Sequence, residues 1–432
     1  MLSRRRFLGT AAVATALLGL PSSLRAASHR LSLREHLASV NGSPEALARD
    51  EAYWYPVQQA FSVDRSLIHL NNGGVCPAPT CVQDAERAHH LEANRRPFYA
   101  YEGQIRPQLE WIRQGLADCF GCEAKEIALT RNTSEGMEIC QLGFNLQRGD
   151  EVLTTEQDYP RMLATWAQRA ERDGIIVNKI SLPVPLDDPD AFVADLEAAI
   201  TPRTRLLMCC HMIDLTGQIL PVSKITAMAH RHGLPVLVDG AQTFGHVPCT
   251  AADLGCDFYA TSLHKWMMGP QGTGLLFVRK DRIADLWPLM PAETEGQGDI
   301  RKFEDIGTHP PAPFLALGEA LTFHQSIGAE RKAARLRYLR DYWLDQLLTH
   351  DRVRLLTHRP AACSLATIQV DGLDPLDLRN YLWDQHRIRV RPIRHPAVEG
   401  IRISPSLYTT LPELDRFVTV MASILRNGLP TT

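Results

Sequence analysis

The stretch "CDFYATSLHKWMMGPQGTGLLFVRK", residues 256–280, places a lysine where a lysine is costly to bury. The run "CDFYAT" is typical of a buried strand, and "LLFVRK" is a second apolar run that follows a glycine-rich segment. Lys265 therefore comes just after the inner end of a core strand. Taken alone, it fits a lysine that extends its head group to solvent. Because burying an unpaired ammonium group costs free energy, the placement also indicates a chemical purpose.

Upstream of this stretch, short apolar runs alternate with amphipathic helical patterns from about residue 125 onward. The runs include "EIALT", "DEVLTT", "TRLLMCCHM" and "LPVLVDG", and the helical patterns include "PRMLATWAQRAERDG" and "VSKITAMAHRHG". Alternation of this kind is typical of an α/β domain with a mainly parallel sheet. Since the strands are continuously apolar, we expect helices on both faces of the sheet.

The same patterns divide the chain into four segments. Residues 1–28 are predicted to be a signal peptide, and the polar, helical residues 29–75 an N-terminal arm. The alternating pattern lies within 76–312, which we predict to be the large domain. Residues 313–432 open with a long helical pattern that is interrupted near Gly328 and then mix strands and helices. They are predicted to form a smaller second domain.

The N-terminus has the features of an export signal. "SRRRFLG" supplies a charged start, Phe7–Leu20 is apolar, and "RAAS" is a zone of small residues. The apolar run is too short to span a bilayer comfortably, and twin arginines followed by Phe-Leu resemble a twin-arginine (Tat) signal. We therefore expect the Tat machinery to export the chain to the periplasm, with cleavage near Ala26–Ser28 and no stable membrane span. A basic, disordered N-terminus is the alternative.

Composition argues against several classes of protein. The 432 residues are 45% hydrophobic and 22% charged, which is ordinary for a globular protein. A net charge of −3 gives no basic field for binding nucleic acid. Among ten scattered cysteines, Cys119 and Cys122 form a lone C-x-x-C without a second pair at zinc-binding spacing, so no metal site is predicted. These two could form a disulfide in an oxidising periplasm, but core or loop thiols are favoured.

Polar residues follow the ends of several predicted strands. In open α/β sheets, ligands bind beyond the carboxyl ends of the strands, so we expect these residues to surround one site. They are Thr133, Ser134, Tyr159, Asp214, Asp239, Gln242, Ser262, His264 and Lys265.

This set suits an aromatic cofactor that has a phosphate and an aldehyde. Lys265 can bond covalently to the aldehyde if its amine is partly desolvated and near positive charge. Asp239 can pair with a pyridinium nitrogen and keep it protonated, which makes the ring an electron sink. Gln242, three residues further on, can reach a hydroxyl group of the ring.

The segment "NTSEGMEI" has the pattern of a helix start. Its backbone N–H groups, with the hydroxyls of Thr133 and Ser134, can hold the phosphate. A capping box formed by Asn132 and Glu135 is the structural alternative for the same residues.

At these motifs the chain resembles a known family. "VDGAQTFGH" followed by "ATSLHKWMMGPQGTG" is similar to the class V aminotransferases of PLP (pyridoxal 5′-phosphate) fold type I, which include cysteine desulfurases, kynureninases and isopenicillin N epimerases. The similarity extends from "HLNNGGVCP" at 69–77 to "IRISPSLYTTLPELDRFV" at 401–418. The resemblance implies PLP as cofactor. It also implies an α/β large domain, with a mainly parallel seven-stranded sheet flanked by helices, and a smaller α+β C-terminal domain.

The resemblance also implies roles for the residues around the cofactor. Lys265 would bond covalently to PLP, Asp239 would pair with the pyridine nitrogen, and Gln242 would contact O3′. Tyr159 matches the aromatic residue that stacks on the ring. The residues implied around the phosphate are Thr133, Ser134, Ser262 and His264.

Four further positions are implied to bind the substrate or to reach a second subunit. Arg402 matches the arginine that binds the substrate carboxylate, a task suited to a guanidinium fork. Asn72 and Gly73 match a segment that closes over the substrate. Thr308 matches a threonine that reaches the phosphate in the partner subunit, which implies a homodimer with shared sites.

Two features depart from the family pattern. Desulfurases have a nucleophilic cysteine shortly before the carboxylate-binding arginine, but "VRPIRHPAVEGIRIS" contains none, and Cys363 lies far upstream. Asp214 stands where relatives usually have asparagine, and a carboxylate near the cofactor's phenolate is unfavourable unless it is protonated or turned away. The alternating arginines at 387, 389 and 391 are interpreted as a charged face outside the site.

Within the family, "NNG", "NTSEG", "DYP" and "GT" resemble the isopenicillin N epimerase-like branch. Exported members of that branch include the periplasmic PLP enzymes of pyoverdine maturation, which act on a glutamic residue of the siderophore. The sequence therefore predicts an exported PLP enzyme that modifies the amino group of an amino-acid or peptide-like substrate, by transamination or related chemistry. Epimerisation is the main alternative. Cysteine desulfurase or lyase activity and a non-catalytic scaffold are less favoured.

Overall fold

The computed structural model describes residues 33–97, 103, 105–292 and 298–430, so the predicted signal peptide lies outside the described residues. The strands are β1 (Ile68–His69), β2 (Ile127–Thr130), β3 (Glu151–Thr155), β4 (Ile176–Ile180), β5 (Thr204–Cys210), β6 (Val236–Asp239), β7 (Phe258–Ser262), β8 (Gly274–Val278), β9 (Val353–Leu355), β10 (Ala366–Val370), β11 (Ile388–Arg389), β12 (Arg391–His395) and β13 (Val398–Ile403).

Helices connect most of these strands. They are α1 (Pro44–Ala48), α2 (Glu51–Gln59), α3 (Thr80–Arg95), α4 (Arg106–Phe120), α5 (Thr133–Gly143), α6 (Pro160–Asp173), α7 (Pro189–Ala198), α8 (Val222–Arg231), α9 (Ala251–Leu254), α10 (Ala312–Leu315), α11 (Leu317–Ile327), α12 (Ala329–Leu347), α13 (Pro375–His386) and α14 (Leu411–Asn427). Residues 33–39 are also helical. Within the described ranges, none of the helices is long and apolar enough to cross a membrane.

The large sheet has seven strands in the order β2-β8-β7-β6-β5-β3-β4. Neighbouring strands are parallel except at β8, which is antiparallel to both β2 and β7. In the central strands, Cys210 is in register with Asp239, and Asp239 with Ala260. The carboxyl ends of β5, β6 and β7 therefore meet at one edge of the sheet, which is where the predicted site residues follow the strands.

Both faces of the large sheet are covered, as the continuous apolar strands predicted. Along β6, Val236 and Val238 face one apolar core, whereas Leu237 faces another on the opposite side. Residues of α4 and α8 fill the first core, and residues of α5 and α6 fill the second. The sheet is thus the middle layer of three.

Residues that begin or end the helices follow simple rules. Pro160 opens α6 at its first turn, where its missing N–H group leaves no hydrogen bond unmade. Gly174 ends the same helix in the left-handed conformation, with φ 74°. Gly328, with φ 87°, separates α11 from α12 at the interruption predicted from the sequence.

A second, four-stranded antiparallel sheet has the order β12-β13-β10-β9 and packs with α13, α14 and part of α12 around its own apolar core. The N-terminal segment joins this unit to the large one: β1 pairs in parallel with β11, Asn71 forms an isolated bridge with Ser404, and the Cys76 N–H donates to the His264 carbonyl at 3.2 Å. The boundary at 312/313 stays a prediction. The apolar side chains of Phe314, Leu317 and Leu321 pack in a core of the large sheet.

Candidate active site

A cavity of about 260 Å³ lies beyond the carboxyl ends of β2, β5, β6 and β7. It contains every residue that the strand-end argument singled out. The predicted residues in its lining are Gly73, Thr133, Ser134, Tyr159, Asp214, Asp239, Gln242, Ser262, His264 and Lys265. These residues come from positions up to 192 residues apart (73 to 265), so only the folded chain brings them together.

Lys265 projects into this cavity from a tight turn after β7. The turn is closed by backbone hydrogen bonds from Gly269 N–H to the Leu263 carbonyl at 2.8 Å and from Met268 N–H to the Lys265 carbonyl at 3.2 Å. Met268 adopts a left-handed conformation, with φ 59°, which is uncommon for a residue with a side chain. Burial lowers the pKa of Lys265, since it penalises the charged ammonium form. A larger fraction of such a lysine is unprotonated near neutral pH, and the unprotonated amine is the form that acts as a nucleophile or accepts a proton.

Asp239 ends β6 and is buried beside the same cavity. Its Oδ1 accepts a hydrogen bond from the Ala241 N–H at 2.9 Å. Burial raises its pKa to about 6, and the negative charges of Asp158 and Asp214 act in the same direction. A carboxylate held this way favours a cationic partner, which is what a protonated ring nitrogen offers.

The cavity lining also has the donors that a phosphate needs. The N-terminus of α5 opens into the cavity at Thr133 and Ser134. The Thr133 N–H donates to Ser262 Oγ at 2.9 Å, and the two hydroxyls lie 2.7 Å apart. His264 presents a buried Nδ1 that has no hydrogen-bond partner among the described residues. An unpaired buried nitrogen beside a helix N-terminus fits an anion that the polypeptide itself does not supply.

The capping box that the sequence offered as a structural alternative is partly formed at this helix start. Asn132 accepts a hydrogen bond from the Glu135 N–H at 2.9 Å and is the N-cap of α5. The Glu135 carboxylate does not return to Asn132; it binds the N–H and guanidinium of Arg131. Half of the capping box is therefore present. Since the Thr133 N–H donates to Ser262 and the Glu135 N–H to Asn132, the remaining N–H of the first turn is that of Ser134.

Gln242 and the segment around Gly73 form one wall. The Gln242 amide donates to the Gly73 carbonyl at 2.7 Å and to Asp214 Oδ1 at 3.1 Å, and it accepts from the indole N–H of Trp266 at 2.9 Å. Asn72 is fully buried and outside the lining; its amide donates to the carbonyls of His69 and Ser404. Asn72 therefore fixes the segment, and Gly73 is the residue that faces the cavity.

Asp214 lies between two arginines. Its Oδ2 accepts from Arg391 Nη1 at 2.5 Å, and its Oδ1 accepts from Arg402 Nη1. Burial alone would raise the pKa of Asp214, but Arg402, Arg391 and Lys265 hold it below its usual value. Asp214 is thus an anion with two cationic partners, which resolves the unfavourable charge that the sequence suggested.

Tyr159, Arg402 and Thr308, which the sequence also predicted, differ in their position relative to the cavity. Tyr159 is 38% exposed and lines the cavity where a ring could stack on it. Arg402 is fully buried and lies outside the lining, bound to Asp214 and Asn71. Thr308 is exposed and also lies outside it. Their roles toward ring, substrate and partner subunit stay predictions.

Sequence reasoning missed Arg391, which lines the cavity. The interpretation of three arginines on one face is wrong, because they do not share a strand. Arg387 ends α13 in the left-handed conformation, Arg389 lies in β11, and Arg391 begins β12. The break falls at Val390, between β11 and β12, and no local signal in the sequence marks it.

The cavity lining does not supply a reactive, readily ionised cysteine. Cys210 is the one cysteine in its lining, and burial raises the pKa of that thiol well above its usual range, so it stays protonated and a poor nucleophile. Cys363 is fully buried outside the cavity. Cys119 and Cys122 are free thiols. In the described part of the chain, no group of three or more His, Cys, Asp or Glu residues could hold a metal ion.

Comparison with known proteins agrees with this geometry. Residues 68–417 match the family model described as aminotransferase class-V. The isopenicillin N epimerase of Amycolatopsis lactamdurans is 30% identical over 393 residues, covering 86% of this chain and 98% of the relative. A probable cysteine desulfurase of Vibrio cholerae is 27% identical over 394 residues, covering 85% and 96%.

A solved structure shares the fold. It is a lysine mutant of C-DES with glycine covalently linked to its PLP cofactor; it is 26% identical, with a TM-score of 0.78 over 84% of this chain and 98% of that one. The predicted α/β architecture of PLP fold type I is confirmed, including its seven-stranded, mainly parallel sheet. By sequence, by architecture and by the residues gathered in the cavity, the chain belongs to the aminotransferase class-V family.

Proposed function

We propose that this protein is an exported PLP-dependent enzyme that acts at the amino group and α-carbon of an amino-acid or peptide-like substrate, by transamination or a related reaction. Its membership of the class-V family makes it a PLP enzyme. The observation that carries the proposal further is the convergence of Lys265 and Asp239 on one cavity that the N-terminus of α5 also lines.

The residues that line the cavity match the chemical groups of PLP. The partnerless Nδ1 of His264 and Ser134 in the first turn of α5 suit the phosphate, together with the hydroxyls of Thr133 and Ser262. Asp239 suits the ring nitrogen. When bound, PLP supplies an electron-withdrawing ring that stabilises negative charge on the substrate's α-carbon.

The chain's own residues perform the proton transfer. The Lys265 amine, with its lowered pKa, can accept a proton from the α-carbon of the substrate and return it elsewhere on the same face. Asp239 keeps a positive charge on the ring nitrogen by pairing with it. Gln242 is held by Gly73, Asp214 and Trp266. Both of its N–H donors have protein partners, so a hydrogen bond to a ring oxygen would replace one of these two.

A labelling experiment tests the assignment of Lys265. Borohydride makes the bond between PLP and its lysine permanent, and peptide mapping then identifies the lysine. We expect the tag on Lys265 and not on Lys332, a buried lysine that donates to the Trp266 carbonyl outside the cavity and whose pKa is lowered by burial to about 8. A tag on Lys332, or on no lysine, would refute the proposal. The variant Lys265→Ala should lose the tag and the absorbance of bound PLP at ~420 nm.

Epimerisation is a second candidate, favoured by the similarity to isopenicillin N epimerases. It needs an acid or base on each face of the planar substrate, and Lys265 serves one face only. Incubation of amino donors in D₂O separates the two reactions. Transamination gives a keto product, whereas epimerisation gives retained amine with deuterium at the α-carbon and scrambled stereochemistry.

Two further proposals, the export of the protein and the class of its substrate, are based on the sequence alone. We propose Tat-dependent export to the periplasm, because of the twin-arginine start, and a peptide-like substrate of the siderophore type, such as a pyoverdine precursor. Cell fractionation checks the first point: wild type should accumulate in the periplasm, and a chain with Arg4, Arg5 and Arg6 all changed to lysine should remain inside. Incubation with a siderophore precursor, followed by mass spectrometry, checks the second.

We also propose a homodimer, in which the exposed Thr308 contacts the phosphate site of the second copy. Light scattering of the purified protein should give twice the mass of the mature chain. The variant Thr308→Ala should bind PLP more weakly, whereas Thr349→Ala, an exposed threonine at the end of α12, should not.

A further inference from the structure

The side-chain amide of Gln242 lines the cavity, and its neighbours set its orientation. The Trp266 indole donates to Gln242 Oε1 at 2.9 Å. The Gln242 NH₂ group donates to the Gly73 carbonyl and to Asp214. An indole N–H can only donate, and a carbonyl oxygen can only accept. The two ends of the amide therefore cannot be exchanged.

The contact with Trp266 is the one that a ligand in the cavity does not have to break. Trp266 is fully buried and lies outside the lining, whereas Gly73 and Asp214 belong to it. A ring oxygen that accepts from Gln242 takes the place of Gly73 or Asp214, because the NH₂ group has only two donors. The indole can keep its hold on the amide oxygen throughout this exchange.

Trp266 is itself held on two sides. Its indole stacks on the His246 ring, with centroids 3.8 Å apart and planes 11° from parallel, and its carbonyl accepts from Lys332 Nζ. The His246 Nδ1–H donates to the Gln242 carbonyl at 2.7 Å, and Nε2 accepts from the Ser364 N–H at 2.9 Å. These two backbone partners fix the tautomer of the ring. Burial lowers the pKa of His246 to about 3, so the ring beneath the indole stays neutral near pH 7.

We propose that Trp266 is a positioning residue for the cofactor: it fixes the Gln242 amide so that the NH₂ group is available to the ring oxygen of PLP. The inference rests on the proposed function, because it concerns PLP bound at Lys265. Without the indole N–H, Gln242 Oε1 is buried without a donor, which costs free energy. The amide then turns toward another donor, and its NH₂ group faces the ring oxygen for a smaller part of the time.

The pH dependence of the absorbance of bound PLP reports on this hydrogen bond. A donor at the ring oxygen stabilises the form in which that oxygen is negatively charged, and so lowers the pH at which the bound chromophore loses its proton. The experiment titrates the absorbance of the PLP-loaded protein at ~420 nm with pH. Titration of the cofactor-free protein with PLP gives the dissociation constant as a second readout. The variants leave the neighbouring charged and titratable groups in place, among them Asp214, Asp239, His246, Lys265 and Lys332.

Trp266→Phe keeps an aromatic ring beside His246 but removes the indole N–H. We expect the midpoint of the absorbance change to rise by about 0.5 to 1 pH unit and PLP binding to weaken by about 3- to 10-fold, which corresponds to one hydrogen bond. Gln242→Leu removes the donor itself and should raise the midpoint by a similar amount. In the double variant the rise should not exceed that of Gln242→Leu, because Trp266 acts through the amide.

Trp343→Phe is the matched control. Trp343 is fully buried in the core of the four-stranded sheet, outside the cavity lining, and its indole N–H has no hydrogen-bond partner among the described residues. This variant loses the same atoms as Trp266→Phe and should be less stable in urea. It should leave the midpoint unchanged and the PLP dissociation constant within about twofold.

A second measurement serves if Trp266→Phe does not fold, as judged by circular dichroism. NMR spectra of wild type and Gln242→Leu, with ¹⁵N-labelled indoles, are compared without PLP and with PLP bound. One indole N–H resonance should move upfield in Gln242→Leu in both states, because its acceptor is gone.

Four results would overturn the inference. They are an unchanged midpoint in Trp266→Phe, an equal rise in Trp343→Phe, a rise in the double variant that equals the sum of the two single rises, and indole resonances that do not respond to Gln242→Leu. None of these contradicts the proposed function, since borohydride would still tag Lys265. Conversely, a tag on another lysine would refute the proposed function whatever the absorbance does.

Discussion

Asp239 is a buried carboxyl group at the end of β6, and burial raises its pKa from 3.8 to about 6. A carboxyl group with a raised pKa in the folded state stabilises the fold fully below its unfolded pKa. This contribution is lost as pH rises from about 4 to about 6, because the unfolded chain then ionises more readily than the folded one. The site therefore lowers the stability of the cofactor-free protein near neutral pH.

The variant Asp239→Asn should remove this pH dependence. Between pH 4.5 and pH 7.5, the free energy of unfolding of the cofactor-free wild type should fall by about 2 kcal/mol relative to the variant. Urea unfolding of both proteins at the two pH values measures the difference. Parallel changes in the two proteins would show that Asp239 does not titrate in this window.

Asp214 is the counter-charge of a fully buried arginine. Asp214→Ala should lower the free energy of unfolding by about 3 to 5 kcal/mol, because it leaves the Arg402 guanidinium buried without an anionic partner. The control is Asp187→Ala, whose exposed carboxylate pairs with His358 at the surface and should change stability by less than about 1 kcal/mol. Urea unfolding at pH 7 compares them, and equal losses would contradict the assignment.

At the scale of single elements, α5 combines a structural and a chemical task. Its N-cap Asn132 lines the cavity and accepts from the Glu135 N–H. Because the N-cap organises the first turn, the same side chain supports both the helix and the part of its first turn that lines the cavity.

Asn132→Ala should therefore have two effects. It should lower the free energy of unfolding by about 1 kcal/mol and weaken PLP binding by about two- to fivefold, since the first turn frays. Thr410→Ala removes the N-cap of α14, outside the cavity lining, and should have the first effect only. Urea unfolding and PLP titration of the cofactor-free protein measure the two quantities. Equal PLP affinities in both variants would contradict a role of α5 in binding.

The turn that presents Lys265 depends on a helix far along the chain. Lys332, in α12, donates to the Trp266 carbonyl next to Lys265. The Trp266 indole in turn donates to Gln242 and stacks on His246, with ring centroids 3.8 Å apart. The sequence of the turn thus supplies the lysine and the glycines around it. Contacts from α12, Gln242 and His246 hold the turn in place.

At the scale of the whole molecule, the N-terminal arm ties the two units together. Trp54 of α2 is fully buried, and its indole donates to the Leu47 carbonyl at 2.8 Å. Arg335 of α12 donates to the Ala48 carbonyl at 2.8 Å and packs against the Trp54 ring. Further along, β1 joins the small unit and Gly73 reaches the cavity, so the arm links the overall packing to the site.

Trp54→Ala should lower the free energy of unfolding by about 3 to 5 kcal/mol, because it leaves a large cavity between α2 and α12. Trp287 is 66% exposed, and Trp287→Ala should change stability by no more than about 0.5 kcal/mol. Urea unfolding of the two variants checks this. If Trp54→Ala behaved like Trp287→Ala, the arm would not be part of the cooperative fold.

Local patterns in the sequence were enough to predict the architecture and most of the residues that line the cavity. Continuous apolar strands alternating with amphipathic helices indicate a covered parallel sheet, and the carboxyl ends of such strands meet at one edge. Lys265, Asp239, Gln242 and the start of α5 could therefore be assigned from residue type and position along the chain. Each lies next to the strand or helix whose pattern predicts it.

Only the tertiary structure decided how the charges are paired. Asp214 meets Arg391 177 residues away and Arg402 188 residues away, from strands of a different sheet. Nothing in the local spacing distinguishes the arginine that faces the cavity from the one buried behind it. The energy of a charge depends on its distance from other charges and on its exposure to water, and both quantities are fixed only when the two units pack against each other.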